Sequence, residues 1–244
     1  QPVSLTFVHG HDFRDGVRLA QRVAEGQPIG FNALIEQSNK FYRERMEKWL
    51  DIALEEGIRF FITSLGNPRW VVDRVSQVGG VVYHDVTELK WAHKGLAGGV
   101  QGLIAVNNRA GGHAGPKSAE QLLDELAPLG APLVCAGGVG DPGGFVEALS
   151  IGYAGVQLGT RFIATTECKA HPDYKAAIVR AHASDIVLTE KISGVPVAVI
   201  NTEYIEKVGT KAGPIARRML KHPTLKHYMR MFYSLQSLWQ LKRA

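Results

Sequence analysis

The sequence has few of the residues and runs that mark several classes of protein. Its 244 residues include only two cysteines, Cys135 and Cys168, whose spacing fits neither a disulfide framework nor a metal site. No apolar run reaches the roughly 18 residues that a membrane span requires, and no charged and then apolar leader opens the chain. These absences predict a protein of a reducing, cytoplasmic setting that does not enter a membrane.

Charge and linker composition argue against two further classes. The formal net charge is +5, but basic residues exceed acidic ones only towards the C-terminal end, so nucleic acid is not predicted as a partner. No linker rich in Ser, Pro or Gly marks a second domain. With 45% hydrophobic and 21% charged residues, the chain has the composition of a globular protein that can bury one large core.

The sequence does contain a repeated alternation of short apolar runs with longer segments of helical periodicity. One such segment has Phe41, Met46, Leu50 and Leu54 at helical spacing, with Gly57 placed to end the helix. Strands are predicted for seven runs: residues 4–8, 29–34, 58–64, 80–84, 102–106, 132–138 and 154–159. Strands separated by helices must be parallel, which predicts a doubly wound sheet or a (β/α)8 barrel.

We predict an α/β protein of the TIM-type (β/α)8 barrel class that lacks its first strand, because seven strands are counted where such a barrel has about eight. The chain opens QPVSLTFV without a methionine, which agrees with a missing first strand. After Arg161 the pattern changes to helix and loop, so we expect a barrel over residues 1–165 and a helical extension packed on it over residues 166–244. A stripe at helical spacing predicts packing on the barrel or against the second copy of a homodimer: Leu225, Met229, Phe232, Leu235 and Trp239.

Both parallel architectures bind ligands at the C-terminal ends of their strands, and residues that carry chemistry fall there. Ser64 and His84 end predicted strands and are expected to line a substrate pocket. The segment CAGGVGD ends a strand in glycines, and LGTRF closes the next one. Glycines let backbone N–H groups approach a ligand, and loops of this kind form a frequent phosphate site. We therefore predict a bound phosphate, the alternative being that these glycines only serve tight turns.

The stretch NNRAGGHAGP, residues 107–116, places His113 among glycines that offer it no packing partners. This pattern favours a histidine presented to a ligand, the alternative being a loop histidine bonded to the backbone. The other histidine pair, in HGHD at residues 9–12, is only a loose metal signature and is interpreted as structural or as lining a pocket. No metal site is predicted.

Taken in order, AGGHAG, CAGGVGD and ALSIGYAGVQLGTRFIAT resemble the nitronate monooxygenase family, formerly called 2-nitropropane dioxygenases, and its relatives the flavin-dependent enoyl-acyl carrier protein reductases. The likeness covers roughly residues 28–170. It implies an FMN-binding (β/α)8 barrel in which Asn32 contacts the flavin. The residues that the resemblance places on the FMN phosphate are Gly137, Gly138, Gly159 and Thr160.

The resemblance also implies that His113 is the base that takes the α-proton from a neutral nitroalkane. Imidazole has an ordinary pKa of about 6.5, which suits this task near neutral pH. The flavin would take electrons from the nitronate and pass them to dioxygen. This chain departs from many relatives in reading VNNRAGG where they have an acidic residue at the strand end, and Asp85 where some have lysine. These departures leave the choice of substrate open.

Three alternatives remain at this point. The nearest is an FMN- and NAD(P)H-dependent enoyl-thioester reductase, which shares the barrel and the GGH motif. The others are a phosphate-binding barrel that acts as an isomerase or lyase on a sugar phosphate, and a flavin-binding protein without catalytic activity.

Overall fold

The computed structural model describes most of the chain, and contacts divide it into two units that are treated separately below. The described residues are 13–35, 40–192, 194–222, 225, 226, 228, 229, 232 and 233. Unit 1 contains the described residues of 1–106, 119–135 and 148–156, and unit 2 contains those of 107–118, 136–147 and 157–244.

A six-stranded sheet has its strands hydrogen-bonded in chain order. The strands are β1 (Gly30–Leu34), β2 (Phe60–Ser64), β3 (Val81–Val86), β4 (Gly102–Val106), β5 (Leu133–Ala136) and β6 (Gly155–Gln157). Pairing is parallel from β1 to β4. Six of the seven predicted strands are confirmed, and the run at residues 4–8 lies outside the described residues.

Helices occupy the connections between these strands, as the alternating pattern predicts. The helices with defined bounds are α1 (Phe13–Val23), α2 (Lys40–Glu55), α3 (Arg69–Ser76), α4 (Leu89–Ala97), α5 (Ala119–Leu126), α6 (Pro142–Ser150), α7 (Thr160–Ile163), α8 (Pro172–Arg180), α9 (Glu203–Val208) and α10 (Pro214–Lys221). Of these, α2 to α6 lie between consecutive strands of the sheet, α1 precedes β1, and α7 to α10 follow β6. Short 3-10 helices lie at Ala127–Leu129 and Ala183–Asp185. In α2 the predicted stripe is confirmed at Met46 and Leu50, which are buried, and the helix ends two residues before Gly57.

The buried side chains of β2 and β3 lie on one face of the sheet of unit 1, whereas β4 is buried on both faces. Burial alternates along β2 and β3, because successive side chains of a strand point to opposite faces. The buried members include Phe61 in β2 and Val82 in β3, and both α3 and α4 pack against β3. Phe60 and Val81, one position earlier in each strand, are exposed. The helices therefore cover one face of these strands.

Unit 2 contains a second, antiparallel sheet of two strands, β7 (Ile186–Thr189) and β8 (Val197–Ile200), with Leu188 opposite Ala198. The prediction of only helix and loop after Arg161 is therefore wrong for these eight residues. Each strand is a run of four apolar or β-branched residues, too short for period alone to separate it from a helical turn. The division at residue 165 and the packing of the C-terminal extension stay predictions.

Candidate functional site

Unit 2 contains the segments that directly follow β4, β5 and β6. We call residues 107–113 the histidine loop, residues 137–141 the glycine loop and residues 159–161 the threonine loop. They carry the GGH motif and both of the glycine-containing segments predicted to bind phosphate. The GGH motif and the two predicted phosphate-binding segments therefore follow three neighbouring strands and belong to one unit.

Asn107 joins the histidine loop to the glycine loop. Its side chain is fully buried, and Nδ2 donates to the carbonyl oxygen of Gly137 at 2.9 Å. Oδ1 accepts from the backbone N–H of Arg109 at 2.8 Å. The backbone N–H of Asn107 donates to Ala136 at 2.9 Å, which continues the pairing of β4 with β5. Because a buried amide is costly to leave unbonded, these bonds fix the start of the histidine loop.

The threonine loop contacts both other loops. A Cβ added to Gly111 would lie 2.7 Å from Oγ1 of Thr160, so the backbone of the GGH motif lies directly against this hydroxyl group. The side chain of Arg161 donates from Nη1 to the carbonyl oxygen of Gly140. The residues predicted to bind phosphate are therefore neighbours of the histidine motif.

Gly137 and Gly138 have positive φ angles of 117° and 77°, which side chains of L-residues rarely allow. A Cβ at Gly137 would lie 2.4 Å from Oδ1 of Asn107 and 2.6 Å from the backbone nitrogen of Ala110. Glycine is therefore required at Gly137 by close packing of two loops, without reference to a ligand. Gly138 is exposed, and a Cβ added to it would lie within 3.0 Å of the Arg109 side chain.

Backbone donors remain at the meeting point of the glycine and threonine loops. The N–H groups of Gly138, Gly159 and Thr160 have no acceptor among the residues that the structure describes. A Cβ added to Gly159 would have no heavy atom within 4 Å, so the space beside this residue is open. Free backbone N–H groups next to an open space are what an oxyanion such as a phosphate requires.

His113 is exposed at the end of the histidine loop. The loop is held there by Gly112, whose N–H donates to Ala198 of β8 at 3.2 Å and whose carbonyl oxygen accepts from the N–H of Ala198 at 2.7 Å. The sequence analysis did not identify this contact, because a backbone pair imposes no residue type. Asn107, Arg109 and Arg161 were also missed as site residues, although the first two are polar residues directly after a buried strand.

The remaining predicted residues belong to unit 1. Asn32 is exposed in β1, opposite Ile62 of β2. Ser64 is half-buried at the end of β2, where its carbonyl oxygen accepts from the N–H of Ile35 at 2.9 Å. The structure thus groups His113 with the predicted phosphate residues in unit 2, and places Asn32, Ser64 and His84 in unit 1.

His84 lies on the helix-covered face of β3 and is only 3% exposed. Its Nδ1 is 2.8 Å from Oγ1 of Thr63, and a Cβ added to Gly95 of α4 would come within 3.1 Å of the ring. Burial lowers the pKa of His84 to about 4, and the charge of Lys94 acts in the same direction. This environment favours a neutral core histidine over the pocket-lining role predicted for it.

Asp85, the next residue, lies on the opposite face of β3. Its Oδ1 is buried and has no hydrogen-bond partner among the described residues. Burial raises the pKa of Asp85 to about 7, because the ionised carboxylate loses hydration. One strand therefore carries two adjacent groups that burial shifts towards their neutral forms.

Other classes of site have no support in the described part of the chain. No group of three or more His, Cys, Asp or Glu residues could hold a metal ion there. The HGHD segment at residues 9–12 lies outside it. Cys135 is buried and Cys168 is half-buried, and neither forms a disulfide bond with another described residue. No described helix is long and apolar enough to span a membrane.

Comparison with known proteins gives consistent findings. A family model described as nitronate monooxygenase matches residues 8–234. The chain is 32% identical over 163 residues to (3aS,4S,5R,7aS)-5-hydroxy-7a-methyl-1-oxo-octahydro-1H-indene-4-carboxyl-CoA dehydrogenase of Mycobacterium tuberculosis, covering 65% of this chain and 46% of that protein. It is 29% identical over 185 residues to a probable nitronate monooxygenase of Staphylococcus saprophyticus, covering 70% and 52%. The chain thus spans about half the length of these relatives.

Two solved structures resemble this fold. A mutant of FabK from Thermotoga maritima has a TM-score of 0.68 at 25% identity, covering 86% of this chain and 66% of that chain. A nitroalkane oxidase from Streptomyces ansochromogenes has a TM-score of 0.68 at 23% identity, covering 80% and 69%. The second likeness concerns the fold alone.

Asn107→Asp tests the bonds at the start of the histidine loop. A carboxylate would keep the acceptor for Arg109 but replace the donor to Gly137 with a buried charged oxygen, so we expect a loss of about 3 kcal/mol in the free energy of unfolding. The exposed neighbour gives a matched control, Asn108→Asp, which should change stability by less than about 0.5 kcal/mol. Urea unfolding of both variants measures the difference. Equal effects would contradict the role given to the amide.

His84 and Asp85 should make opposite contributions to the pH dependence of stability. Folded His84 stays neutral down to about pH 4, whereas an unfolded histidine takes up a proton below about pH 6.5, so this contribution is lost as the pH falls through that window. Folded Asp85 holds its proton up to about pH 7, whereas an unfolded aspartate loses it near pH ~4, so its contribution is lost as the pH rises.

Asp85→Asn should therefore expose the contribution of His84. Between about pH 4.5 and 6.5 the free energy of unfolding of the variant should rise with pH more steeply than that of the parent, by up to about 1.4 kcal/mol per pH unit. Urea unfolding across this range measures the slopes. Parallel curves for parent and variant would show that Asp85 ionises normally in the folded chain.

Proposed function

Because the chain belongs to the nitronate monooxygenase family, we propose that it binds FMN and oxidises nitronates with dioxygen, with His113 as the base for neutral nitroalkanes. The observation that carries the proposal is the contact of Gly111 with Thr160, which joins the histidine motif to the predicted phosphate residues. Two signals that are independent in the sequence are thus adjacent in one unit. A histidine beside a flavin site is the arrangement that this chemistry needs.

The residues present fit the phosphate of FMN. Backbone N–H groups of Gly138, Gly159 and Thr160 would donate to its oxygens, and the open space beside Gly159 would accommodate them. When bound, FMN would supply the redox chemistry, by taking up electrons from the nitronate and passing them to dioxygen. The protein's part is to hold the phosphate and to leave room for substrate beside His113.

His113 would act before the redox step. A neutral imidazole nitrogen accepts the proton from the carbon next to the nitro group, and the electron pair of the broken C–H bond moves into the nitro group to give a nitronate. The two backbone bonds of Gly112 to Ala198 would hold the imidazole in position while Gly111 and Gly112 leave space for the substrate. A nitronate supplied as such has already lost this proton and needs no base.

The complete fold and assembly are part of the proposal. We interpret the six parallel strands as belonging to a (β/α)8 barrel, supported by the likeness to the FabK structure. Residues 1–165 would form the FMN-binding barrel and residues 166–244 an extension packed on it. A homodimer is proposed from the stripe of Leu225, Met229, Phe232, Leu235 and Trp239, of which the last two lie outside the described residues.

The second candidate is an FMN- and NAD(P)H-dependent enoyl-thioester reductase. It is favoured by the likeness to FabK and by the 32% identity to a dehydrogenase of a CoA thioester. Steady-state assays with a nitronate and oxygen, and with NAD(P)H and an enoyl thioester, separate the two. A flavin absorbance band near ~450 nm in the purified protein separates both from a non-redox isomerase or lyase.

His113→Asn tests the base. On protein with full FMN occupancy, turnover of a neutral nitroalkane should fall by about 10²–10⁴-fold, because an amide does not accept the α-proton. Turnover of the preformed nitronate should fall by less than about tenfold, and the ascending limb of the pH profile for the neutral substrate should disappear. His93→Asn on the exposed face of α4 is the control and should leave both activities unchanged. Equal losses on both substrates would assign His113 to positioning.

Gly159→Ala tests the phosphate site. The φ angle of Gly159 is −122° and its added Cβ meets no atom, so the variant should fold normally while the methyl group occupies space predicted for the ligand. We expect FMN to bind at least about tenfold more weakly by fluorescence titration. Gly213→Ala is the matched control, because Gly213 also has a negative φ and open surroundings. If both variants bind FMN as the parent does, the phosphate lies elsewhere.

A further inference from the structure

Arg109 belongs to the histidine loop, and its side chain packs against the glycine loop. A Cβ added to Gly138 would come 2.8 Å from its Nε and 3.0 Å from its Cβ and Cδ, so the arginine stem packs directly on this glycine. The backbone of Arg109 is fixed in place, because its N–H donates to Oδ1 of the buried Asn107 at 2.8 Å. Although the residue is exposed, its side chain is therefore directed along the glycine loop.

The guanidinium of Arg109 has no carboxylate or carbonyl partner among the described residues. The acid of the glycine loop, Asp141, uses Oδ1 to accept from the N–H of Gly144 at 2.9 Å. The second arginine at these loops, Arg161, donates to the carbonyl oxygen of Gly140. Arg109 thus places a positive charge beside Gly138, whose backbone N–H also has no acceptor in the described part of the chain.

We propose that Arg109 binds the phosphate of the flavin and makes the site selective for FMN over riboflavin. The proposal rests on the function proposed above. A guanidinium offers several N–H donors in a fixed plane and forms paired, charge-assisted bonds with a phosphate dianion. The guanidinium would supply a positive charge and N–H donors to the phosphate, and the backbone N–H of Gly138 would supply a further donor to the same group. Riboflavin, which lacks the phosphate, would gain nothing from this residue.

The anion that Arg109 binds could instead come from the substrate, because a nitronate is also an oxyanion. The contact with Gly138 favours the phosphate, since this glycine belongs to the loop predicted to hold it. A binding measurement can distinguish the two sources of the anion. Flavin binding in the absence of substrate responds to Arg109 only if the phosphate is its ligand.

The experiment compares FMN and riboflavin binding to the full chain after its flavin has been removed. Arg109→Met keeps an aliphatic stem to pack on Gly138 but loses the charge and the donors. Arg109→Lys keeps the charge but loses the planar arrangement. The control is Arg180→Met, which removes one charge at the exposed end of α8 in the same unit. Thermal unfolding of each variant checks that the fold is retained.

We expect the parent to bind FMN at least about 100-fold more tightly than riboflavin, through several charge-assisted bonds. Arg109→Met should weaken FMN binding by about 10–100-fold and change riboflavin binding by less than about twofold. The FMN affinity of Arg109→Lys should lie between those of the parent and Arg109→Met, and that of Arg180→Met should equal the parent's. Added salt should weaken FMN binding less in Arg109→Met than in the parent, because one charge no longer contributes.

Several results would overturn the assignment of Arg109 to the phosphate. If Arg109→Met weakens FMN and riboflavin equally, the residue only supports the loop. If it leaves both unchanged but raises KM for a nitronate, its ligand is the substrate. A parent without preference for FMN would instead contradict the phosphate site itself, and with it the proposed function. A parent that prefers FMN together with an unaffected Arg109→Met contradicts only the inference about Arg109.

Discussion

The buried amide of Asn107 is the interaction on which the candidate site depends. It continues the pairing of β4 with β5 by its backbone, donates to Gly137 and accepts from Arg109. Only a side chain with a donor and an acceptor on one short stem can make both of these bonds at once. Gly111 and Gly112 come four and five residues after Asn107, so their contacts with Thr160 and Ala198 depend on the path that Asn107 sets for the loop.

The sequence predicts the sheet of unit 1 well, because each strand is an apolar run bounded by a helix of clear period. It does not predict β7 and β8, whose four-residue runs carry no period. The candidate site divides in the same way. Gly137 and Gly138 could be singled out from the sequence, because backbone with a positive φ angle favours glycine and so leaves a mark in the residue type. The pairing of Gly112 with Ala198 is invisible, because any residue can supply backbone N–H and C=O groups.

The sequence YHDVT offers two adjacent polar residues at the end of β3, and only packing decides which faces the helices. Gly95 of α4 lies against the ring of His84, where any Cβ would crowd it. The helix therefore accommodates the imidazole, and the two-residue period of the strand then places Asp85 on the other face. A prediction from strand ends alone chose the histidine, because it carries no information about the glycine on the covering helix.

The choice between nitronate oxidation and thioester reduction does not depend on His113. In the first reaction an imidazole takes a proton from the α-carbon, and in the second an imidazolium can return one there, so one residue fits both. The difference lies in the second substrate, since a nicotinamide dinucleotide brings a pyrophosphate that needs cationic or N–H partners, whereas dioxygen needs none. At the three loops the arginines are Arg109 and Arg161, and Arg161 is bonded to Gly140. If Arg109 holds the FMN phosphate, the pyrophosphate of a nicotinamide dinucleotide would need cationic or N–H partners other than this residue.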